Sequence, residues 1–260
     1  MSAIAVFDSG VGGLTVLKAL KERWPGENFL YLADTARLPY GSKSLNTIHR
    51  YAEQNIRHLL SHQVKAIVVA CNSASTAILE EPLPCPVPLL NVVLPGARKA
   101  VQSSVTKRIG VLGTRATVLS QAYARAIHEL TPTADVFQQP CPLLVPLVEE
   151  GWVDDPVTNL IVYRYVAGLL KNQVDTLILG CTHYPALRKS IQNAVGPGVT
   201  LVDSSQGLIE DLEQLKLCTD TPDGAGSVRI LCTDFSPRLE ETTRLLLGNI
   251  KVDSISTVDL

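Results

Sequence analysis

What this 260-residue sequence lacks narrows it first. It has no run of about eighteen apolar residues, so no transmembrane helix is expected. No basic segment precedes an apolar signal region at the N-terminus, and the protein is expected in the cytoplasm. There is no Cys-x-x-Cys and no Cys/His spacing typical of zinc, so no metal is expected. A basic excess is missing as well. Lys and Arg number 23 against 25 Asp and Glu, a net charge of -2, which argues against nucleic acid as a main partner. No cofactor motif is visible, and no evident lysine site suits pyridoxal phosphate. Aromatic residues make up only 5% of the chain.

What is present is aliphatic. The hydrophobic fraction is 46%, and Val, Leu, Ile and Ala supply it, a mix that suits parallel sheets covered by helices. Six cysteines occur, Cys71, Cys85, Cys141, Cys181, Cys218 and Cys232. In a reducing compartment they are expected as thiols.

Two stretches follow one plan. Ala66 to Ala70 reads as a buried strand and runs into Cys71-Asn72-Ser73-Ala74-Ser75 before a helix-compatible Ala-Ile-Leu. Thr176 to Gly180 runs into Cys181-Thr182-His183-Tyr184-Pro185 and a helical pattern. In open α/β sheets, ligands collect at the carboxyl ends of the strands, so one site lined by two thiols is the reading. The plainer alternative is two buried core cysteines. Ile4 to Phe7 enters Asp8-Ser9-Gly10-Val11-Gly12-Gly13, a turn able to offer N–H groups to an anion or merely to cap the next helix. Ile109 to Gly113 echoes that strand, with Gly113 where the first half has Asp8. Two similar α/β halves follow.

Other segments are read more briefly. Phe29 to Ala33 is a strand, and the loop after it places Tyr40 and Gly41 toward a ligand or in a plain turn. Ser44 to Gln63 is a helix, and its His49, His58 and His62 are assigned no role. The prolines of residues 82–88 forbid helix. Cys141 to Val148 is apolar and proline-broken, and Glu149 after it can face a cavity, although a solvated helix end is favoured there. Asp154-Asp155-Pro156 starts a helix, Asp203-Ser204-Ser205 caps another, and Ser227 to Cys232 is a strand. Ile250 to Ser256 is an edge-strand candidate. Cys218 and Cys232 are read as structural.

Two thiols on opposite walls suit one task in particular. One takes a proton from a carbon and the other delivers a proton to the opposite face, which inverts a stereocentre. Helix N-termini after Cys71 and Cys181 favour the thiolate. His183 can exchange a proton with Cys181, and Asp8 with Cys71. Ser9, Asn72, Ser73 and Thr182 are donors suited to carboxylates, Asp8 can bind an ammonium, and donors on the α-carboxylate lower the cost of a carbanionic transition state.

Phe7 to Leu14, Ala33 to Gly41, Ala70 to Ser75 and Leu179 to Pro185 together resemble the signatures of the glutamate racemases, of the cofactor-independent aspartate/glutamate racemase superfamily. The resemblance runs from residue 4 to about 205. It implies an isomerase that supplies D-glutamate for peptidoglycan, with Cys71 and Cys181 as proton donor/acceptors assisted by Asp8, His183 and Glu149. By analogy Cys71 deprotonates D-glutamate and Cys181 L-glutamate. Substrate contacts carry over to Asp8, Ser9, Tyr40, Gly41, Asn72, Ser73, Thr182 and His183. Ser73 stands where the family usually has Thr, and Ala33 where it has Gly. The resemblance also implies the fold: α/β, two similar domains with mostly parallel sheets flanked by helices, residues 1–96 plus 207–260 as one and 97–206 as the other, with the active site in the cleft between them. Relatives activated by a cell-wall precursor carry an N-terminal extension; this chain starts at its first strand, and that regulation is not expected. The partner is a small-molecule substrate, glutamate; a homodimer stays open. The rivals are an aspartate racemase of the same superfamily, a Cys181–His183 hydrolase, and a non-enzymatic dicarboxylate-binding module.

Overall fold

The computed structural model describes residues 2–218 and 226–260. Its elements run β1 (Ala3–Asp8), α1 (Leu14–Arg23), β2 (Phe29–Ala33), α2 (Leu45–Leu60), β3 (Val64–Val69), α3 (Asn72–Glu80), β4 (Leu89–Asn91) and α4 (Val93–Ser103). The second half continues with β5 (Arg108–Gly113), α5 (Arg115–Leu119), α6 (Ala122–Leu130), β6 (Asp135–Pro140), α7 (Leu144–Glu149), α8 (Pro156–Lys171), β7 (Thr176–Gly180), α9 (Arg188–Val195) and β8 (Thr200–Val202). The chain ends with α10 (Ser205–Leu215), β9 (Val228–Cys232), α11 (Pro237–Leu247) and β10 (Ser254–Thr257).

The strands form two sheets, β10-β9-β2-β1-β3-β4 and β6-β5-β7-β8, and every strand pair is parallel. The aliphatic runs explain this, because β1, β2 and β7 are buried along their whole length and a parallel strand must be apolar on both faces. One face of the six-stranded sheet packs on α1, α10 and α11 through Leu17, Leu212 and Leu247. Its other face packs on α2 and α3 through Ile48, Ile56 and Ala77. The four-stranded sheet is covered by α7, α8 and α9 through Leu147, Val162 and Ile191 on one side. On the other side it is covered by α4 and α6 through Ala97 and Ile127.

In each sheet the chain goes from its founding strand to one neighbour and then returns to the founder's other side. The topological switch therefore falls between β1 and β3 in one sheet and between β5 and β7 in the other. A crevice opens at such a point beyond the carboxyl ends of the strands. Cys71 follows β3 and Cys181 follows β7, so the two cysteines occupy equivalent places.

Several expectations change. Asp135–Pro140 is an edge strand that hydrophobic periodicity does not reveal, since Gln138, Gln139 and Pro140 break the apolar run. The last strand is confined to Ser254–Thr257. No helix starts directly after Cys181: Tyr184–Leu187 is a 3-10 turn with Pro185 inside it, and α9 begins only at Arg188. The start at Asp155 holds, with its Oδ1 accepting from the Val157 N–H at 2.7 Å ahead of α8. Among the described residues, no helix is long and apolar enough to cross a membrane.

Candidate active site

The strand ends converge on one cavity of about 140 Å³. That is close to the roughly 150 Å³ of a cavity that holds benzene, and well below the roughly 300–1,000 Å³ of drug-sized sites. After β1 come Ser9 and Gly10; after β2, residues 38–42 with Tyr40 and Gly41; after β3, Cys71, Asn72 and Ser73. From the other sheet come Thr114 and Arg115 after β5, Cys141 after β6, Glu149 from α7, and Cys181, Thr182 and His183 after β7. All the site residues named from the sequence line this cavity except Asp8.

Asp8 lies just beneath the wall and is fully buried. One carboxylate oxygen accepts from the Gly10 N–H at 3.1 Å, and the other accepts from the Thr182 hydroxyl at 3.3 Å. It does not cap α1, whose N-cap is Gly13 with no side-chain bond. Asp8 instead joins the two halves, and Thr15 reinforces the joint by donating to the Thr182 carbonyl at 3.2 Å. Gly12 is required here, because a Cβ on it would stand 2.6 Å from His183 Nδ1.

The two principal thiols have different surroundings. Cys71 is the N-cap of α3, and its Sγ donates to the Ser9 hydroxyl at 3.7 Å. Burial and the nearby Asp8 carboxylate push its pKa up to about 12, against the smaller help of the Ala74 N–H and Ser9. The helix start does favour a Cys71 thiolate, as expected, but desolvation and the Asp8 charge outweigh it. Cys181 Sγ lies 3.9 Å from His183 Nδ1, and His183 Nε2 lies 3.3 Å from Glu149 Oε1. The latter contact is an ion pair without good hydrogen-bond alignment. Burial works against a charged His183, yet Cys181, Glu149 and Asp8 prevail and bring it up to about 10. The ring thus sits between Cys181 and Glu149, and both neighbours favour its protonated form.

The polar wall residues are fixed by cross-links between the halves. Asn72 Oδ1 accepts from the Tyr123 hydroxyl at 2.7 Å, and Ser73 Oγ lies 2.9 Å from Thr114 Oγ1. Among the wall residues not named from the sequence are Thr114, Arg115 and Cys141. Thr114 occupies in the second half the place Ser9 has in the first, so the repeat of Ile109 to Gly113 carried its signal. Arg115, beside it, has no separate one. Cys141 is fully buried, and burial and the neighbouring Cys181 raise its pKa. Its place shows only once β6 is known to be a strand. Among the described residues, no group of three or more His, Cys, Asp or Glu is arranged to hold a metal ion.

A cavity with a buried thiol from each half of a duplicated α/β fold can move protons on two faces of one carbon. Known proteins carry the same frame. Residues 15–212 match the family model described as Asp/Glu/Hydantoin racemase. The chain belongs to the Asp/Glu/Hydantoin racemase family. As a member it is a racemase, an isomerase. It is 47% identical over 249 residues to the glutamate racemase of Syntrophus aciditrophicus, covering 94% of this chain and 92% of that one. Among solved structures, a glutamate racemase isoform from Bacillus anthracis superposes with a TM-score of 0.91 at 34% identity, covering 100% of this chain and 98% of the other. The Francisella tularensis glutamate racemase, solved in complex with D-glutamate, gives a TM-score of 0.88 at 32% identity over 99% and 97% of the two chains.

Proposed function

We propose that this racemase interconverts L- and D-glutamate without a cofactor, by a two-thiol, two-base transfer at Cα, and that it does so in the cytoplasm to supply D-glutamate for peptidoglycan. The observation that carries the reading is the placement of Cys71 and Cys181 at equivalent strand ends on one cavity. The names of the most similar relatives support glutamate as the substrate.

For L-glutamate, Cys181 as thiolate takes the α-proton, and the electron pair stays on Cα, delocalised into the carboxylate. Cys71 as thiol delivers its proton to the opposite face. The product is D-glutamate, and the two sulfurs have exchanged protonation states. D-glutamate runs the same steps in reverse, with Cys71 as the base. His183 stabilises the Cys181 thiolate, Glu149 holds the imidazolium, and Asp8 assists Cys71. The raised pKa of Cys71 suits a resting enzyme in which it is the thiol. Ser9, Asn72, Ser73, Thr182 and the main chain at Tyr40 and Gly41 supply carboxylate donors, and neutralising the α-carboxylate lowers the barrier to proton loss.

The same reading divides the chain into residues 1–96 with 207–260 and residues 97–206, with cleft closure excluding water. The two sheets support it, and the crossings lie within α4 and α10. Residues 219–225 of the first unit lie outside the described residues. A homodimer is part of the proposal, supported by exposed Val157, Leu160 and Tyr163 on α8; a monomer mass by ultracentrifugation would overturn it.

The test is incubation of reduced protein with each enantiomer in D₂O. Loss of optical rotation with deuterium entering at Cα, impaired in Cys71→Ser and in Cys181→Ser, is the expected result. No turnover of glutamate beside rapid turnover of aspartate would replace the substrate. A fully active Cys71→Ser would overturn the two-base chemistry.

A further inference from the structure

Beside the cavity lies a buried charge that the proton transfers do not use. Asp34 follows β2 and is wholly inaccessible to solvent. Burying a carboxylate is costly unless it is paired and hydrogen-bonded, and Asp34 is well supplied with partners. Its Oδ2 accepts from Arg37 Nε at 2.7 Å and from the Tyr40 hydroxyl, and Asn55 Nδ2 reaches it at 3.5 Å. Its Oδ1 accepts from the Thr233 hydroxyl at 3.0 Å. Its own N–H donates to the Asp8 carbonyl at 3.1 Å. Asp34 thus touches β1, α2, the cavity loop and the segment after β9 at once.

The Tyr40 hydroxyl is committed away from the substrate. It gives its only proton to Asp34 and accepts from Asn55 Nδ2 at 2.9 Å. A phenol has one proton to donate, so Tyr40 presents its ring and main chain to the cavity and no O–H. Burial and the Asp34 charge keep that phenol protonated far above neutral pH. The wall is set by where the main chain at Tyr40 and Gly41 lies. Gly41 packs so closely on Thr114 that a Cβ would stand 2.6 Å from the Thr114 Cβ.

The C-terminal segment holds the same loop. Thr233 Oγ1 accepts from the Ala36 N–H at 2.9 Å. The Thr35 hydroxyl donates to the Asp234 carbonyl at 2.6 Å and accepts from the Asp234 N–H at 2.8 Å. We infer that Asp34 is a positioning residue, which acts through Tyr40 to fix residues 38–42 as a preformed wall for glutamate and which anchors that wall to the C-terminal segment through Thr233. The inference rests on the proposed racemisation of glutamate.

A wall that must be ordered at each binding event weakens ground state and transition state alike, which raises KM and leaves kcat. Asp34→Asn keeps the shape and removes the charge. Its KM for glutamate is expected to rise roughly tenfold or more, the scale of a hydrogen bond to a charged group, with kcat within about threefold of wild type. Thr233→Val, which spares the buried charge and so keeps the test open if Asp34→Asn does not fold, is expected to raise KM a few-fold by loss of one hydrogen bond. Tyr40→Phe and Asp34→Asn combined should raise KM by less than the product of the single effects, because they break one shared bond. A purely structural role would lower the active fraction, seen as reduced kcat at unchanged KM, and that outcome in the folded variants overturns the inference. Multiplicative effects in the double variant overturn it as well. A wild type inactive on glutamate sinks the function reading itself, whereas an active wild type with unshifted variants sinks only the role of Asp34.

Discussion

The Ser73 hydroxyl meets the Thr114 hydroxyl at 2.9 Å, joining the start of α3 to the end of β5 across the cavity wall. Thr114 also caps α5, accepting from the Thr117 N–H at 3.1 Å. Thr114→Val strips the cap and leaves the buried Ser73 hydroxyl without its partner, and is expected to cost about 1–3 kcal/mol. Because an orphaned partner costs more than a pair removed together, Ser73→Ala with Thr114→Val should cost less than the sum of the two singles. Urea unfolding of the three variants checks this.

His183 contributes a pH dependence to stability. Its folded pKa, up to about 10, lies above the ordinary histidine value of 6.5, so the folded state holds a proton that the unfolded chain releases earlier. The stabilisation is complete below about 6.5 and is lost as pH rises through about 10. Wild-type Tm should fall across that window more steeply than that of His183→Asn. Parallel Tm–pH curves would remove the charge on His183 from the account.

Gly12 is expected to tolerate no side chain. A Cβ there would meet the Thr182 hydroxyl and stand 2.6 to 2.7 Å from the His183 ring. Displacing catalytic groups by about 1 Å can cost roughly a hundredfold in rate. Gly12→Ala should therefore fold, as judged by circular dichroism, and lose about that factor in kcat.

Gly207 marks the other close approach, where α10 crosses α4. An added Cβ would stand 2.6 Å from the Pro95 carbonyl oxygen. Alanine gains about 0.5–1 kcal/mol of helix propensity over glycine, but a clash with backbone is expected to cost about 1–3 kcal/mol. Net loss should follow, as a lowered Tm in calorimetry. The ion pairs of Arg98 with Asp211 and of Lys99 with Glu210 flank this crossing, so high salt should deepen the loss.

The parts of the fold that were legible in the sequence were those in which burial writes a pattern. β1, β3, β5 and β7 are aliphatic because helices cover both faces, and the polar residues just beyond them stand out for the same reason. Thus Ser9, Cys71, Asn72, Cys181 and His183 were visible. Edge strand β6 was not, since its residues are only partly buried, and Cys141 and its place beside Cys181 went unseen with it. The helix start at Cys71 counts for less than its place in the sequence suggests, because how thoroughly a thiol is desolvated depends on the opposite domain. Asp34 looked like one residue of a polar loop. Its importance depends on Thr233, which lies far away in sequence and meets it only after β9 pairs with β2.

That late pairing bears on how the chain is made. β2 sits inside the six-stranded sheet only because β9 and β10 lie beyond it. The four-stranded sheet draws all of its strands from one unbroken stretch, Arg108–Val202, and is complete while the other still waits. Until Val228–Cys232 has been synthesised, the nascent protein carries β2 as a bare edge, open to pairing with another chain, and the candidate pocket lacks the buttress of its loop. A ribosome that stops before that point releases a product with both cysteine signatures and an unfinished wall.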